Sequence, residues 1–250
     1  MKLKAFTIIE LLVVIAIIAI LAAFIFPVFV QAKTAVQVMG VGRAGKQLFT
    51  ATNIYQADYD DTYPIAMYAD GPVMQAWFGR QTGQYTYDNT KGLLSPYKKG
   101  KLGSDPSLQA EDWMGDELGI GYNWGTIGSD MHETGDYSKF PNCAGAANSS
   151  SLADTSRTIV FATSAFYNAK WLPEGTGKKH RFNFFDPMEF WNNNSNVDFR
   201  HRGKMKVDED AQTVVSDGSA VFVFADGNTR SYKKSSVKPD WFWRQPYTPN

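Results

Sequence analysis

Residues 11–30 carry no charged side chain, and Glu10 stands immediately before them. No other feature constrains the fold as strongly. These twenty residues rise ~30 Å as a helix, the thickness of a bilayer's hydrocarbon core. In lipid a single segment must satisfy its own backbone hydrogen bonds, which a helix does. Lys2 and Lys4 precede the run and Lys33 follows it. The short N-terminal tail is therefore expected on the cytoplasmic side and everything beyond residue 30 outside. Glu10 is the anomaly. A carboxylate inside a membrane segment costs roughly 2.5–3.5 kcal/mol, less near an interface, so it normally has a partner. A plain anchor explains no such residue. Neither does a signal peptide cut after Val30-Gln31-Ala32, and the apolar run is longer than the usual ~7–15-residue signal core.

Composition narrows the function classes. The 25 basic and 25 acidic residues cancel, so no basic field points to a nucleic-acid partner. A lone cysteine, Cys143, excludes an internal disulfide and the multi-cysteine zinc patterns. It is expected as a buried or loop residue, with an intermolecular bridge as the alternative. Beyond the apolar run, 7 Trp, 12 Tyr and 17 Phe in the whole chain alternate with Gly, Asn, Asp and Ser. That mixture predicts short strands and long turns around an aromatic core.

The string Lys4-Ala5-Phe6-Thr7-Ile8-Ile9-Glu10 and the apolar run after it resemble the class III leader of type IV pilins and type II secretion pseudopilins. The resemblance implies cleavage by a prepilin peptidase between Ala5 and Phe6, followed by N-methylation of Phe6. It implies that Glu10 pairs with the terminal amine of a neighbouring subunit as helices pack into a filament. An opposite charge is an effective offset for a carboxylate in a low-dielectric setting. The residue before the cut is usually glycine in that family and is Ala5 here. Pro27 cannot donate to the carbonyl of Ala23 and is expected to kink or loosen the helix, as in many pilins.

Helical rhythm continues past the membrane. Val41, Gly45, Leu48, Thr52, Tyr55 and Tyr59 recur at alternating spacings of four and three, which places them on one face. Lys33, Arg43, Lys46 and Asn53 fall on others. The helix is expected from about Phe6 to Tyr59. Gly40, Gly42 and Gly45 each cost it about 1 kcal/mol relative to Ala, so close packing or a bend must account for them. Asp60, Asp61 and Pro64 should stop it. The string from Tyr55 to Pro64 resembles the helix-to-head junction of pilin-like proteins with enlarged heads, often described as prepilin-type cleavage and methylation domain proteins. A mid-helix cysteine common in that family is absent.

In the head, residues 158–163 (TIVFAT) predict a buried strand. Residues 220–225 and 228–232 predict a hairpin about Asp226-Gly227, because Gly readily supplies the positive φ of such a turn. An Arg-His-x-Gly segment at His201, before that hairpin, is a further likeness to the family. The domain plan is a leader at residues 1–5 and a membrane and filament-core helix at 6–30. An amphipathic continuation at 31–59 and an extracytoplasmic head at 60–250 follow. The fold class is α+β: a long N-terminal helix packed on an antiparallel sheet with long loops.

Catalytic signatures are lacking. No phosphate loop, Gly-x-Ser-x-Gly elbow or His-Glu-x-x-His helix occurs, and His132, His180 and His201 show no metal spacing. His201 and Asp226 suit an interstrand contact and a turn. Asp58, Asp60 and Asp61, and Asp208 with Asp210, are acidic groups that calcium could use, although neither matches an EF-hand and no cofactor is otherwise implied. The expected role is a structural subunit of a pilus-like or pseudopilus filament. Its partners would be prepilin peptidase, other pilin or pseudopilin subunits, and inner-membrane lipid before assembly. It would sit N-in, C-out in a bacterial inner membrane and then in a filament. The alternative is an anchored or secreted recognition protein that binds glycans or exported proteins through Trp77, Trp113, Trp124, Trp171 and Trp191.

Overall fold

The structure, a computed structural model, describes residues 7–84, 86–98, 100, 107–108, 110, 119–168, 178–188, 195–203, 205–208 and 213–246. Helix α1 spans Ile8–Asp58, 51 residues, and continues unbroken through Pro27. Its first half is rich in β-branched residues, which are mediocre helix formers in water. Its second half follows the expected stripe, with Val41, Ala44, Gly45, Leu48, Ala51, Thr52, Tyr55 and Gln56 buried. Tyr59 departs from the expected buried face and is 51% exposed. The helix has ended by then, and the Tyr59 ring instead stacks on Tyr55 at 4.1 Å.

Asp60 and Asp61 stop the helix by taking left-handed φ values of 49° and 58°, which short polar side chains tolerate. The freed carbonyls find partners. Asn148 Nδ2 donates to the Asp60 carbonyl at 2.7 Å and the Ser149 N–H to that of Asp61 at 2.9 Å.

Four short strands follow as an antiparallel meander: β1 Met67–Asp70, β2 Val73–Ala76, β3 Arg80–Gly83 and β4 Thr86–Asp88. The principal sheet uses β5 Ile120–Asn123, β6 Ile159–Thr163, β9 Phe184–Phe185, β12 Ser219–Phe224 and β13 Thr229–Lys233, in the order β13-β12-β6-β5-β9. Its pairs are antiparallel except β5–β9, which is parallel. The sheet is therefore mixed at one edge rather than wholly antiparallel as expected. Two ribbons complete the set: β7 Ala165–Asn168 with β8 Lys178–Arg181, and β10 Met205–Asp208 with β11 Thr213–Ser216.

Both faces of this sheet are covered, which explains why β6 and β12 read as apolar runs rather than alternations. Val221 and Val223 of β12 join Val41, Leu48 and Tyr55 of α1 in one core. Ala220, Phe222 and Phe224 point the other way, to Phe185, Phe199, Phe242 and Trp243. The turn at Pro239–Phe242 and Arg244 after it are latched beside that second core. Asn123 Nδ2 donates to the carbonyls of Ile159 (3.0 Å) and Phe242 (2.9 Å), and Arg244 donates to the carbonyls of Thr126, Ser129 and Gly145. The expected hairpin is present, with Gly227 at φ 82° between β12 and β13.

Asp198 lies buried beside Lys179 Nζ at 2.7 Å and Arg200 Nη1 at 2.9 Å. Burial pushes its carboxyl up, but Arg200 and Lys179 more than offset this and hold it below the usual carboxylate range. This pairing stabilises the fold above the unfolded carboxylate's pKa and is lost as the pH falls through the lower folded value.

Candidate assembly surface

Thr7 and Glu10 close the start of α1 as a reciprocal capping box. The Thr7 N–H and hydroxyl each donate to Glu10 Oε2 at 2.9 Å, and the Glu10 N–H donates to Thr7 Oγ1 at 3.3 Å. The Thr-x-x-Glu spacing was visible in the sequence and carries this role, yet Glu10 had been expected only as an ion-pair partner. Both bonds use Oε2. Oε1 accepts no hydrogen bond among the described residues. Ala5 and Phe6, the expected processing residues, lie outside the described residues.

From Thr7 to Gly40 no residue is buried, and Val41 is the first that is. The helix is long and apolar enough to cross a membrane. Ile8, Leu12, Ile17 and Phe24, among others, stand more than half exposed. Nothing among the described residues covers this surface.

The three helix glycines sort along the transition from bare to packed helix. A Cβ at Gly45 would sit 2.5 Å from Val223 Cγ2, and one at Gly42 would sit 3.6 Å from Thr229 Cγ2. Gly45 is thus required by close helix–sheet approach. A Cβ at Gly40 would meet nothing within 4 Å.

Asp58, Asp60 and Asp61 do not assemble into the expected calcium group. Among the described residues no three His, Cys, Asp or Glu side chains are placed to hold a metal. Asp58 Oδ2 instead accepts from the Tyr97 hydroxyl at 3.0 Å, and Asp60 and Asp61 serve the turn. Asp208 ends β10, and Asp210 lies outside the described residues.

Trp77 belongs to the aromatic core and not to the surface that the alternative reading required. It is 1% exposed, packs against Phe78, Tyr122 and Phe161, and donates from Nε1 to the Asn183 carbonyl at 3.1 Å. Large rings with one polar handle fill cores in this way. Trp113, Trp171 and Trp191 lie outside the described residues. Trp124 is half-buried and donates to Asp186 Oδ1 at 2.7 Å.

The same carboxylate oxygen is 2.8 Å from His132 Nε2, while His132 Nδ1 is 2.5 Å from the Tyr137 hydroxyl. His201 is 1% exposed and exchanges two backbone hydrogen bonds with Ser219, the expected interstrand role. Cys143 is buried, and burial pushes its thiol up to about 11, so it is unreactive near neutrality.

Outside the membrane-length segment, six large apolar side chains stand exposed among the described residues. Val36, Met39, Ile54 and Tyr59 lie on α1 or just past it. Tyr137 and Phe140 share one loop of the head. The sequence had marked neither aromatic of that pair.

Residues 1–26 match the family model described as the prokaryotic N-terminal methylation motif. No curated protein and no solved structure matches the chain. The motif, followed by a long apolar helix, fits a prepilin-like protein, a pilin- or pseudopilin-like precursor. The helix suits anchoring in the inner membrane.

Proposed function

We propose that the chain is a structural subunit of a type IV pilus-like or pseudopilus filament, acting by assembly rather than by turnover. One observation carries this reading. A single helix begins in the matched motif, offers an apolar surface that nothing among the described residues covers, and only from Val41 onward is clasped by the head. Lipid covers that surface in the waiting monomer, N-in and C-out; neighbouring helices cover it in the filament. Prepilin peptidase cuts between Ala5 and Phe6, and the new amine is methylated.

Glu10 then pairs with the amine of a neighbouring Phe6. Capping and pairing are compatible, since the cap engages only Oε2 and a carboxylate offers two acceptor oxygens. The cut also leaves the Phe6–Thr7 amide intact, so the cap survives processing.

Mass spectrometry of the mature chain tests the reading. The expected N-terminus is N-methylated Phe6. A mature chain that retains Met1, or one that begins at Lys33, overturns it.

A further inference from the structure

Among the exposed apolar side chains outside the membrane segment, two groups combine neighbouring residues into a defined shape. On α1, Val36, Met39, Gly40 and Arg43 follow one another at i, i+3, i+4 and i+7, so they share a face. All four are exposed. Val36 and Met39 are 68% and 59% exposed, and the space above Gly40 is open to 4 Å. Glycine inside a helix costs about 1 kcal/mol relative to Ala. Gly45 repays that cost against Val223 within the molecule, whereas Gly40 repays it against nothing there. The result is a shallow notch between two apolar side chains.

In the head, Tyr137 and Phe140 are 37% and 55% exposed. They are held in place rather than trailing. The Phe140 ring meets Trp124 edge-on at 5.8 Å, and the Tyr137 hydroxyl is fixed to His132, itself anchored on Asp186. Exposed aromatics whose rotamers are already set lose little entropy on docking and make effective anchors.

Charge and geometry select the occupant. Residues 31–57 contain Lys33, Arg43 and Lys46 and no carboxylate. Residues 130–142 contain Asp130, Glu133 and Asp136 against Lys139; Arg244 packs on Glu133 at 3.5 Å, which leaves Asp136 as the exposed carboxylate beside the aromatic pair. Opposite fields of this kind orient an encounter and fix its register. The two features also lie far apart in one molecule. The base of the aromatic loop bonds to the chain that has just left the end of α1: Cys143 N–H to the Met67 carbonyl at 3.0 Å and Tyr63 N–H to the Ala147 carbonyl at 2.8 Å. From Gly40 to Asp58 the helix rises ~27 Å. One copy cannot seat its own loop on its own notch, but a second copy staggered along the helix axis can.

We propose that the Tyr137–Phe140 knob of one copy docks on the notch formed by Val36, Met39 and Gly40 of a second copy, with Asp136 against Arg43. This inference rests on the filament-subunit reading and adds to it a specific head-to-tail contact. Such a contact is heterologous. It leaves one knob and one notch unfilled on the two ends of a stack, and it builds an open helix where the rotation between copies does not close.

Cysteine crosslinking of the full processed chain tests it. Gln47→Cys and Lys139→Cys variants, which flank the notch and the knob and are both exposed, are expressed in the same cells, and filaments are treated with a bismaleimide. Cys143 is buried and does not compete. The expected result is a crosslinked dimer only where both variants are present. Filaments that assemble without the crosslink overturn the inference and leave the filament reading standing, which is also the outcome if the knob instead binds a glycan or another protein. Absence of filaments from the unsubstituted chain overturns the filament reading first. A second variant, Gly40→Phe, fills the notch without touching its own head. It should cut filament yield about tenfold, the effect of losing roughly 1.4 kcal/mol per contact, and an unchanged yield counts against the docking.

Discussion

The two halves of α1 share a backbone and differ in everything that meets it. Residues 8–30 expose Leu, Ile, Val and Phe on every side, while the stretch from Val41 to Gln56 buries one stripe against β12 and its neighbours. The first half needs no matched surface, only an apolar surrounding. The second needs a particular one, because its contacts are made by interlocking side chains. A substitution in the first half should therefore leave the head untouched, and one in the second should be felt as a core mutation.

The largest contrast is expected between two leucines. Leu48 is 1% exposed and Leu12 is 54% exposed. Leu48→Ala should lower head stability by about 2–5 kcal/mol through lost burial and a cavity. Leu12→Ala should leave head melting unchanged when the full chain is unfolded in detergent micelles and followed by near-ultraviolet circular dichroism. Equal shifts from the two would erase the distinction between the halves.

The glycines set a finer test at the boundary between them. Gly45→Ala forces a methyl to 2.5 Å from Val223 Cγ2, and Val223, 2% exposed in a central strand, has little room to yield. Overpacking of this sort costs about 1–3 kcal/mol, partly offset by about 1 kcal/mol of better helix propensity. Gly40→Ala meets no obstacle within 4 Å and should stabilise by about 0.5–1 kcal/mol. The same substitution, five residues apart, is thus expected to shift the melting temperature in opposite directions. Two shifts of the same sign would place the packing boundary elsewhere.

How much of this was legible in the sequence follows from the range of each interaction. The membrane run, the Val41-to-Tyr55 stripe, the buried strand at residues 159–163 and the Asp226-Gly227 hairpin all declare themselves within a few residues, through periodicity or turn chemistry. The Thr7–Glu10 cap is equally local and was legible, though a more dramatic role for Glu10 obscured it. Partners distant in the chain left no such mark. Trp77 bonds to a carbonyl 106 residues away, and Asn123 to one 119 residues away. Nothing around Trp77 in the sequence says that its ring is enclosed, which is why core and surface roles both stayed open for it. Exposure is hidden for the same reason. Phe140 looks like any other phenylalanine until the rest of the head fails to cover it.

The smallest expected effect lies at the far end of the bare half. Thr7→Ala removes the Oγ1 that accepts from the Glu10 N–H and the hydroxyl that donates to its carboxylate. The Thr7 N–H bond to Oε2 remains possible, so the cap is weakened rather than abolished. Loss of an N-cap side chain costs about 1 kcal/mol, and helix ends fray locally because the first turn has no other hydrogen-bond partners. Faster hydrogen exchange confined to the amides of residues 8–11 is expected, with head melting unchanged. The packed core begins only at Val41, more than thirty residues and ~50 Å of helix later, so fraying at Thr7 has no buried contact through which to reach the head. A fall in head melting on Thr7→Ala would mean that the two halves unfold as one unit, and that the apolar half holds up the fold as well as anchoring it.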